Sequence, residues 1–159
     1  MKLAPLQLTD YFVVSLRVEA MADYDPAKPQ NLDVANLQVV EKCVRMDGDH
    51  PTRFTIDLVI KQDALEGKNL PYAYDLHMVG FIEVRPGFPA DHLQRAVETN
   101  GPSMLFGAAR EILRSATGRG PYGPVLIPST TFFKHVDTPA SQPPADKPPR
   151  KSPSTRKAK

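Results

Sequence analysis

Asp75 and His77 have the spacing that comes nearest to acid–base chemistry in this chain. They stand two positions apart in a stretch that alternates like a β-strand, so they share one face of that strand. A carboxylate beside an imidazole can act as a general acid–base pair. No serine or cysteine stands in a recognisable nucleophile turn near them, so the pattern favours an ordinary polar strand face. An enzyme or small-ligand site on this face is kept as an alternative interpretation.

The remaining histidines and glycines indicate no other chemistry. His50, His92 and His135 fall in a turn, a short helix and a late segment, without the spacing of metal ligands. The glycine-rich run 118–123 follows a helical pattern instead of opening one, whereas phosphate cradles need a helix N-terminus. The sequence therefore predicts no metal site, no cofactor and no enzyme.

Composition indicates a single domain of ordinary polarity. The 159 residues, 41% of them hydrophobic, suffice for one domain with a core. The first ten residues lack a signal-peptide core, and no run reaches the length of a membrane span. Cys43 is the single cysteine, which excludes an intramolecular disulfide. We expect a cytoplasmic protein without membrane insertion.

Charge divides the chain into two parts. Residues 137–159 carry six Lys/Arg against two Asp, along with six prolines and no apolar period. Such a segment cannot bury enough surface to offset its ordering entropy, so we expect a disordered basic tail after a folded domain of residues 1–136. Its charge could attract nucleic acid, acidic lipid or an acidic protein. A solubilising tail is favoured, and no nucleic-acid partner is expected.

Four stretches alternate as β-strands before the tail. Residues 11–21, 37–46, 52–62 and 70–84 show this pattern, and Asp47-Gly48-Asp49 predicts a hairpin between the second and third. The first stretch predicts one buried face, made of Phe12, Val14, Leu16, Val18 and Ala20.

Two helices are predicted after the strands. Residues 90–99 read as a short helix that Gly101-Pro102 ends, and Pro102 then opens a helix over about 102–118. Strands followed by helices indicate an α+β fold with an antiparallel sheet. The apolar face of the second helix suits a sheet or a copy of itself, and we assign it to an oligomer interface: Leu105, Ala109, Ile112 and Ala116.

The order of these segments resembles the SecB family of protein-export chaperones. The strand PYAYDLHMVGFIEV precedes a helix of the type P-x-x-L-F-x-x-A-R-E, an Arg-Gly ending and an extended segment of the type L-x-P-x-x-F. The resemblance covers residues 70–133 well and residues 8–65 more weakly. The positions that carry it are Pro102, Leu105, Phe106, Ala109, Arg110, Glu111, Arg119, Gly120, Ile127 and Phe132.

The resemblance implies a four-stranded antiparallel sheet with helices on one side, assembled as a homotetramer from two dimers. It also implies a motor partner, the SecA ATPase, on an acidic patch of the sheet. Glu19 and Asp75 match two acidic positions of that patch, while Ser15 and Ala73 depart from it. A second C-terminal helix of the family is expected to be missing or reduced here.

The function implied is that of an ATP-independent holdase, which keeps unfolded preproteins competent for export. An alternative from a different class is a SecB-like binder dedicated to one partner, such as an antitoxin. Apolar residues on loops and near the end of the fold are the candidate client contacts: Tyr24, Leu32, Val34, Phe88, Phe132, Phe133 and Val136.

Overall fold

A four-stranded antiparallel sheet and one long helix make up the fold. The computed structural model describes residues 4–30, 37–46 and 52–132. The sheet order is β1-β4-β3-β2, with every neighbouring pair antiparallel. This confirms the α+β class and the four-stranded sheet. The elements are β1 (Leu6–Ala20), β2 (Leu37–Arg45), β3 (Arg53–Gln62), β4 (Tyr72–Val84) and α1 (Ala90–Thr117).

The core lies between α1 and one face of β3 and β4. Alternate residues of both strands are buried, as their period of two predicts. Ile56 and Leu76 have no exposed surface, and α1 covers them with Leu105, Ala109 and Leu113, which are equally buried. The opposite face of the sheet carries no helix among the described residues.

α1 corrects the predicted helix boundaries. It runs unbroken from Ala90 to Thr117, so the predicted stop at Gly101-Pro102 and the separate helices 90–99 and 102–118 are wrong. Both residues are buried within it. A Cβ at Gly101 would lie 2.9 Å from Cδ1 of Ile56, so this glycine allows the helix to approach β3 closely. Pro102 removes one helical N–H, and the burial of its own ring offsets that loss.

β1 also departs from its predicted pattern. Its pairing with β4 shifts between Leu8 and Asp10 and again between Val13 and Ser15, which leaves Thr9 and Val14 as extra residues. Each bulge reverses the alternation, so Phe12, opposite Val79, points away from α1, while Leu16, opposite Leu76, points toward it. The single buried face predicted for this strand is therefore wrong.

The apolar residues of β1 are largely exposed. β1 is an edge strand, and Leu6 is its one fully buried residue, whereas alternate residues of β3 and β4 are buried along their whole length. Tyr11, Phe12, Val13, Val14 and Leu16 are each at least 40% exposed.

An extended segment without regular structure follows α1. Val125 and Ile127 of this segment are buried in the core. The Arg110 side chain donates a 2.8 Å hydrogen bond from Nε to the carbonyl oxygen of Ile127 and holds the segment along the helix. No second helix appears between α1 and Phe132. The predicted tail lies outside the described residues, so the division into 1–136 and 137–159 stays a prediction.

Candidate functional site

The uncovered sheet face carries Glu19 and Asp75, the two residues predicted for a motor-binding patch. Register places Arg17 of β1 on one side of Asp75 and Lys61 of β3 on the other. Arg17 donates to a Glu19 carboxylate oxygen at 2.8 Å, and Lys61 forms an ion pair with Asp63 at 3.0 Å. Basic side chains therefore accompany each carboxylate of the patch, and they reduce its negative potential.

These side chains surround an open cleft of about 430 Å³ at one end of the sheet. Asp75 forms no ion pair with any of the described residues, although Arg17 and Lys61 flank it. The cleft is polar, and both signs of charge line it. Its lining residues are Arg17, Glu19, Lys61, Gln62, Asp63, Ala64, Ala73, Tyr74 and Asp75.

The acid–base pair of the sequence has a different carboxylate in the structure. Nε2 of His77 lies 3.0 Å from Oδ1 of Asp57 on β3, so Asp57 and not Asp75 is the acid beside this imidazole. The residue opposite His77 on β1 is Ser15, which makes no hydrogen bond with the ring. Both side chains of the pair are partly open to solvent on a flat face. The closed pocket that an enzyme would need is not formed around them by the described residues.

Apolar side chains lie on the same sheet face on either side of the His77–Asp57 pair. The Phe12 and Phe81 rings are 6.1 Å apart, and Val79 lies opposite Phe12. Across the sheet, Val40 is 62% exposed and pairs with Val59. The sequence predicted the alternation of these strands, but the bulges that bring Phe12 to this face were missed.

The segment after β1 is held against the sheet by a tyrosine cluster, which consists of Tyr24, Tyr72 and Tyr122. The Tyr24 ring lies 4.7 Å from the Tyr122 ring, which lies 5.7 Å from Tyr72. The Tyr122 hydroxyl donates a 2.8 Å hydrogen bond to the carbonyl oxygen of Met21. The Tyr72 hydroxyl donates to the carbonyl of Thr117 and accepts from the Tyr122 amide. Tyr24, predicted as a client contact, is thus half-buried in an internal contact.

Asn69 anchors the same segment from the other side. Its Nδ2 group donates to the carbonyl oxygens of Asp25, Lys28 and Pro29, and its Oδ1 accepts from the Asp25 amide. The hydrogen bond that the Ala27 amide donates to the Asp25 carboxylate lowers the pKa of Asp25, and the neighbouring Lys28 side chain lowers it further. Sequence reasoning missed both Asn69 and Tyr122. Their signal was weak, since an asparagine before a strand and a tyrosine between glycines are common in loops.

Phe132 and Phe88 lie far apart along α1. Phe132 packs edge-on against Phe106, with ring centroids 5.7 Å apart, beside the middle of the helix. Phe88 lies in the turn between β4 and the start of α1 and packs partly on the core. The structure therefore does not bring Tyr24, Phe88 and Phe132 into one site. Leu32, Val34, Phe133 and Val136 lie outside the described residues.

The four residues predicted for the oligomer interface divide into two pairs. Leu105 and Ala109 have no exposed surface within one chain, so they belong to the core and not to a surface between chains. Ile112 and Ala116 are half-buried and remain available on the flank of α1. The large exposed apolar surface lies instead on β1.

Other site classes find no support in the part of the chain that the structure describes. Within residues 4–30, 37–46 and 52–132, no three His, Cys, Asp or Glu side chains are grouped to hold a metal ion. No helix in those ranges has the length and apolar character to cross a membrane.

Comparison with known proteins assigns the chain to a family. Residues 4–135 match the family described as preprotein translocase subunit SecB, so the chain belongs to the SecB family. The protein-export protein SecB of Brucella ovis is 30% identical over 81 residues, and that of Brucella abortus gives the same values. This alignment covers 51% of the chain and 49% of the relative, so the chain spans about half the length of the curated relatives it matches.

A solved structure shares the fold. The SecB-like chaperone of Mycobacterium tuberculosis, solved in complex with a peptide from the HigA1 antitoxin, aligns with a TM-score of 0.50 at 14% identity. The alignment covers 80% of this chain and 91% of that one. It shows that the architecture of one helix on a four-stranded sheet is a SecB-like fold.

Proposed function

We propose that the protein is an ATP-independent chaperone that binds unfolded preproteins and keeps them competent for export through the Sec translocase. The observation that carries this proposal is the match of residues 4–135 to the SecB family. The cytoplasm is the compartment in which this activity is needed. Binding without nucleotide is passive, and its extent is set by mass action.

Client contact is proposed to be apolar and extended, because unfolded chains share hydrophobic residues and backbone but no common sequence. The segment after α1 offers such a surface. Leu126 is 64% exposed, and it borders an open groove of about 300 Å³ beside Gly107 and Arg110. Phe132 lies further along the same segment. We therefore propose Leu126 as an additional client contact beside Tyr24, Phe88 and Phe132.

Assembly into a homotetramer, a dimer of dimers, is proposed to begin at β1. An edge strand presents unpaired backbone groups, and apolar side chains on both of its faces favour burial against a second strand. β1 combines both properties over Tyr11–Leu16. Ile112 and Ala116, on the flank of α1, are proposed for the second contact, between dimers.

Coupling to the SecA motor is proposed through Glu19 and Asp75. The neighbouring Arg17 and Lys61 weaken the attraction of this face for a basic partner. The second candidate function, a chaperone dedicated to one partner, is favoured by this same neutralisation. The Mycobacterium tuberculosis relative bound to an antitoxin peptide illustrates that alternative.

Aggregation assays separate the two functions. A general holdase is expected to suppress light scattering by several unrelated proteins diluted from denaturant, without ATP. A dedicated chaperone is expected to fail with them and to bind one partner tightly. Asp75→Asn is expected to weaken association with SecA and to leave suppression unchanged, with the exposed Asp10→Asn on β1 as the matched control.

A further inference from the structure

We infer that Asn69 and Tyr122 are positioning residues for client binding, because they fix the crossover strap, residues 21–30, in one place. This inference rests on the proposed function, which includes Tyr24, in the segment between β1 and β2, among the client contacts. It adds two side chains that do not themselves need to touch the client.

Few side chains of the strap pack against the rest of the domain. Residues 26–30 are exposed, and no side chain of the strap belongs to the buried core. Its first residue is tied to the sheet by the hydrogen bond from the Met21 amide to the carbonyl of Pro71, 3.0 Å long. The position of the remainder must therefore depend on side chains from elsewhere in the chain.

Asn69 supplies the first anchor. One side chain satisfies the amide of Asp25 and three carbonyl oxygens spread over Asp25–Pro29, at distances from 2.9 to 3.2 Å. Since the amide is both donor and acceptor, no other residue of this size makes the same set of bonds. Asn69 precedes β4 by three positions, so a rigid element of the sheet determines where it lies.

Tyr122 supplies the second anchor, at the opposite end of the strap. Its hydroxyl donates to the carbonyl of Met21, and its ring packs against that of Tyr24 at an interplanar angle of 59°. Its own amide is held by the Tyr72 hydroxyl at 2.9 Å. The Tyr122 position is thus coupled to the end of α1, where Tyr72 also bonds the carbonyl of Thr117.

The two anchors hold a strap that contributes no residue to the buried core. They restrict the conformations of the strap before a client binds. A client then meets a pre-organised surface, and less ordering is needed when the complex forms. Removal of either anchor should leave the sheet folded and weaken binding through the strap alone.

The test uses the full chain with Tyr122→Phe and Asn69→Asp, and Asn100→Asp is the matched control for the asparagine variant. Asn100 makes only a local bond to the carbonyl of Ala96. Hydrogen exchange of residues 21–30 is measured without client, and affinity is measured for reduced, carboxymethylated α-lactalbumin. Each anchor variant is expected to exchange faster in the strap but not in β3 or β4. It should bind about threefold to tenfold more weakly, the range that one net hydrogen bond supports.

Faster strap exchange with unchanged affinity, or unchanged strap exchange, would overturn the inference. Lower protection throughout β3 and β4 would also overturn it, since the residues would then serve general stability. If the wild type itself does not bind the unfolded probe, the proposed function fails, and the client role of the anchors fails with it. The exchange measurement on the free protein distinguishes these cases, because it needs no client. Tyr122→Phe removes one hydroxyl only, so it keeps the test decisive if Asn69→Asp does not fold.

Discussion

Gly120 lies directly against the phenol of Tyr72. A Cβ atom at position 120 would be 2.5 Å from Oη and 2.8 Å from Cε1 of that ring. The ring cannot move away freely, because its hydroxyl bonds both the Thr117 carbonyl and the Tyr122 amide. The glycine between Arg119 and Pro121 is therefore required by this close approach and not by a left-handed backbone.

Gly120→Ala should destabilise the fold by about 1–3 kcal/mol, the cost of overpacking a filled site. Thermal unfolding followed by circular dichroism measures the change. Gly107→Ala is the matched control, since a Cβ there meets nothing within 4 Å in a single chain. An alanine in the middle of α1 should raise stability by about 0.5–1 kcal/mol. Equal effects of the two substitutions would contradict the contact.

Val14→Lys should break the tetramer into smaller, folded species. Val14 is the extra residue of a bulge on the exposed edge strand, and a lysine there opposes pairing with a second β1. Light scattering should report a mass of one or two chains of 17.6 kDa in place of about 70 kDa for four, with two chains if the contact at Ile112 and Ala116 persists. Val44→Lys, on the other edge, is the control, with 47% exposure against 50% for Val14. If both variants dissociate, or if neither does, β1 does not form the interface between chains.

Ala109→Glu should prevent folding, because it places a carboxylate in the core beneath the helix, where it finds no partner. Breaking such an apolar contact with an unpaired charge costs several kcal/mol. Ala116→Glu, on the half-buried flank of α1, should fold and affect assembly alone. Circular dichroism and light scattering together separate these results. A folded, dissociated Ala109→Glu variant would show that Ala109 lies in the interface between chains.

Ionisation of Tyr74 should lower the free energy of unfolding at alkaline pH. Burial raises the pKa of its phenol from 10.0 to about 12. Its stabilising effect is therefore complete below pH 10 and decreases as the pH rises toward 12 and beyond, because the unfolded chain ionises first. Tyr74→Phe should flatten the curve of unfolding free energy between pH 10 and 12. A curve identical to that of the wild type would refute this assignment.

Deletion of residues 137–159 should leave the unfolding temperature within about 2 °C of that of the full chain. A surface change alters the free energy of unfolding by at most about 0.5 kcal/mol. The deletion changes the net charge from +2 to −2, because the segment carries six basic and two acidic residues. Calorimetry of both forms gives the comparison. A drop of many degrees would mean that the tail packs on the domain.

Much of the fold could be predicted because β3 and β4 each keep one strict alternation, and Phe54 through Ile60 follow it without interruption. The buried face of β1 could not be predicted, because two extra residues reverse the alternation of this strand. Only the pairing of β1 with β4 reveals where those residues fall. Gly101-Pro102 has the composition of a helix stop, yet contact with Ile56 outweighs that local preference.

The candidate site was predicted less completely. Glu19 and Asp75 were predicted from the family resemblance alone, and the pairing of β1 with β4 places both on one face of the sheet. The ion pair of Arg17 with Glu19 depends on side-chain geometry that the pattern does not contain. Asn69 and Tyr122 act through bonds to residues 40 or more positions away, and no local signal in the sequence identifies such partners.

The strand order β1-β4-β3-β2 also has a consequence for synthesis on the ribosome. β1 is made first, but its pairing partner is the last strand of the sheet. At roughly 5–20 residues per second, β1 waits on the order of several seconds before β4 exists. During that interval a nascent chain presents Tyr11–Leu16 unpaired. Polysomes that carry several such chains therefore bring matching apolar strands close together before any subunit is complete.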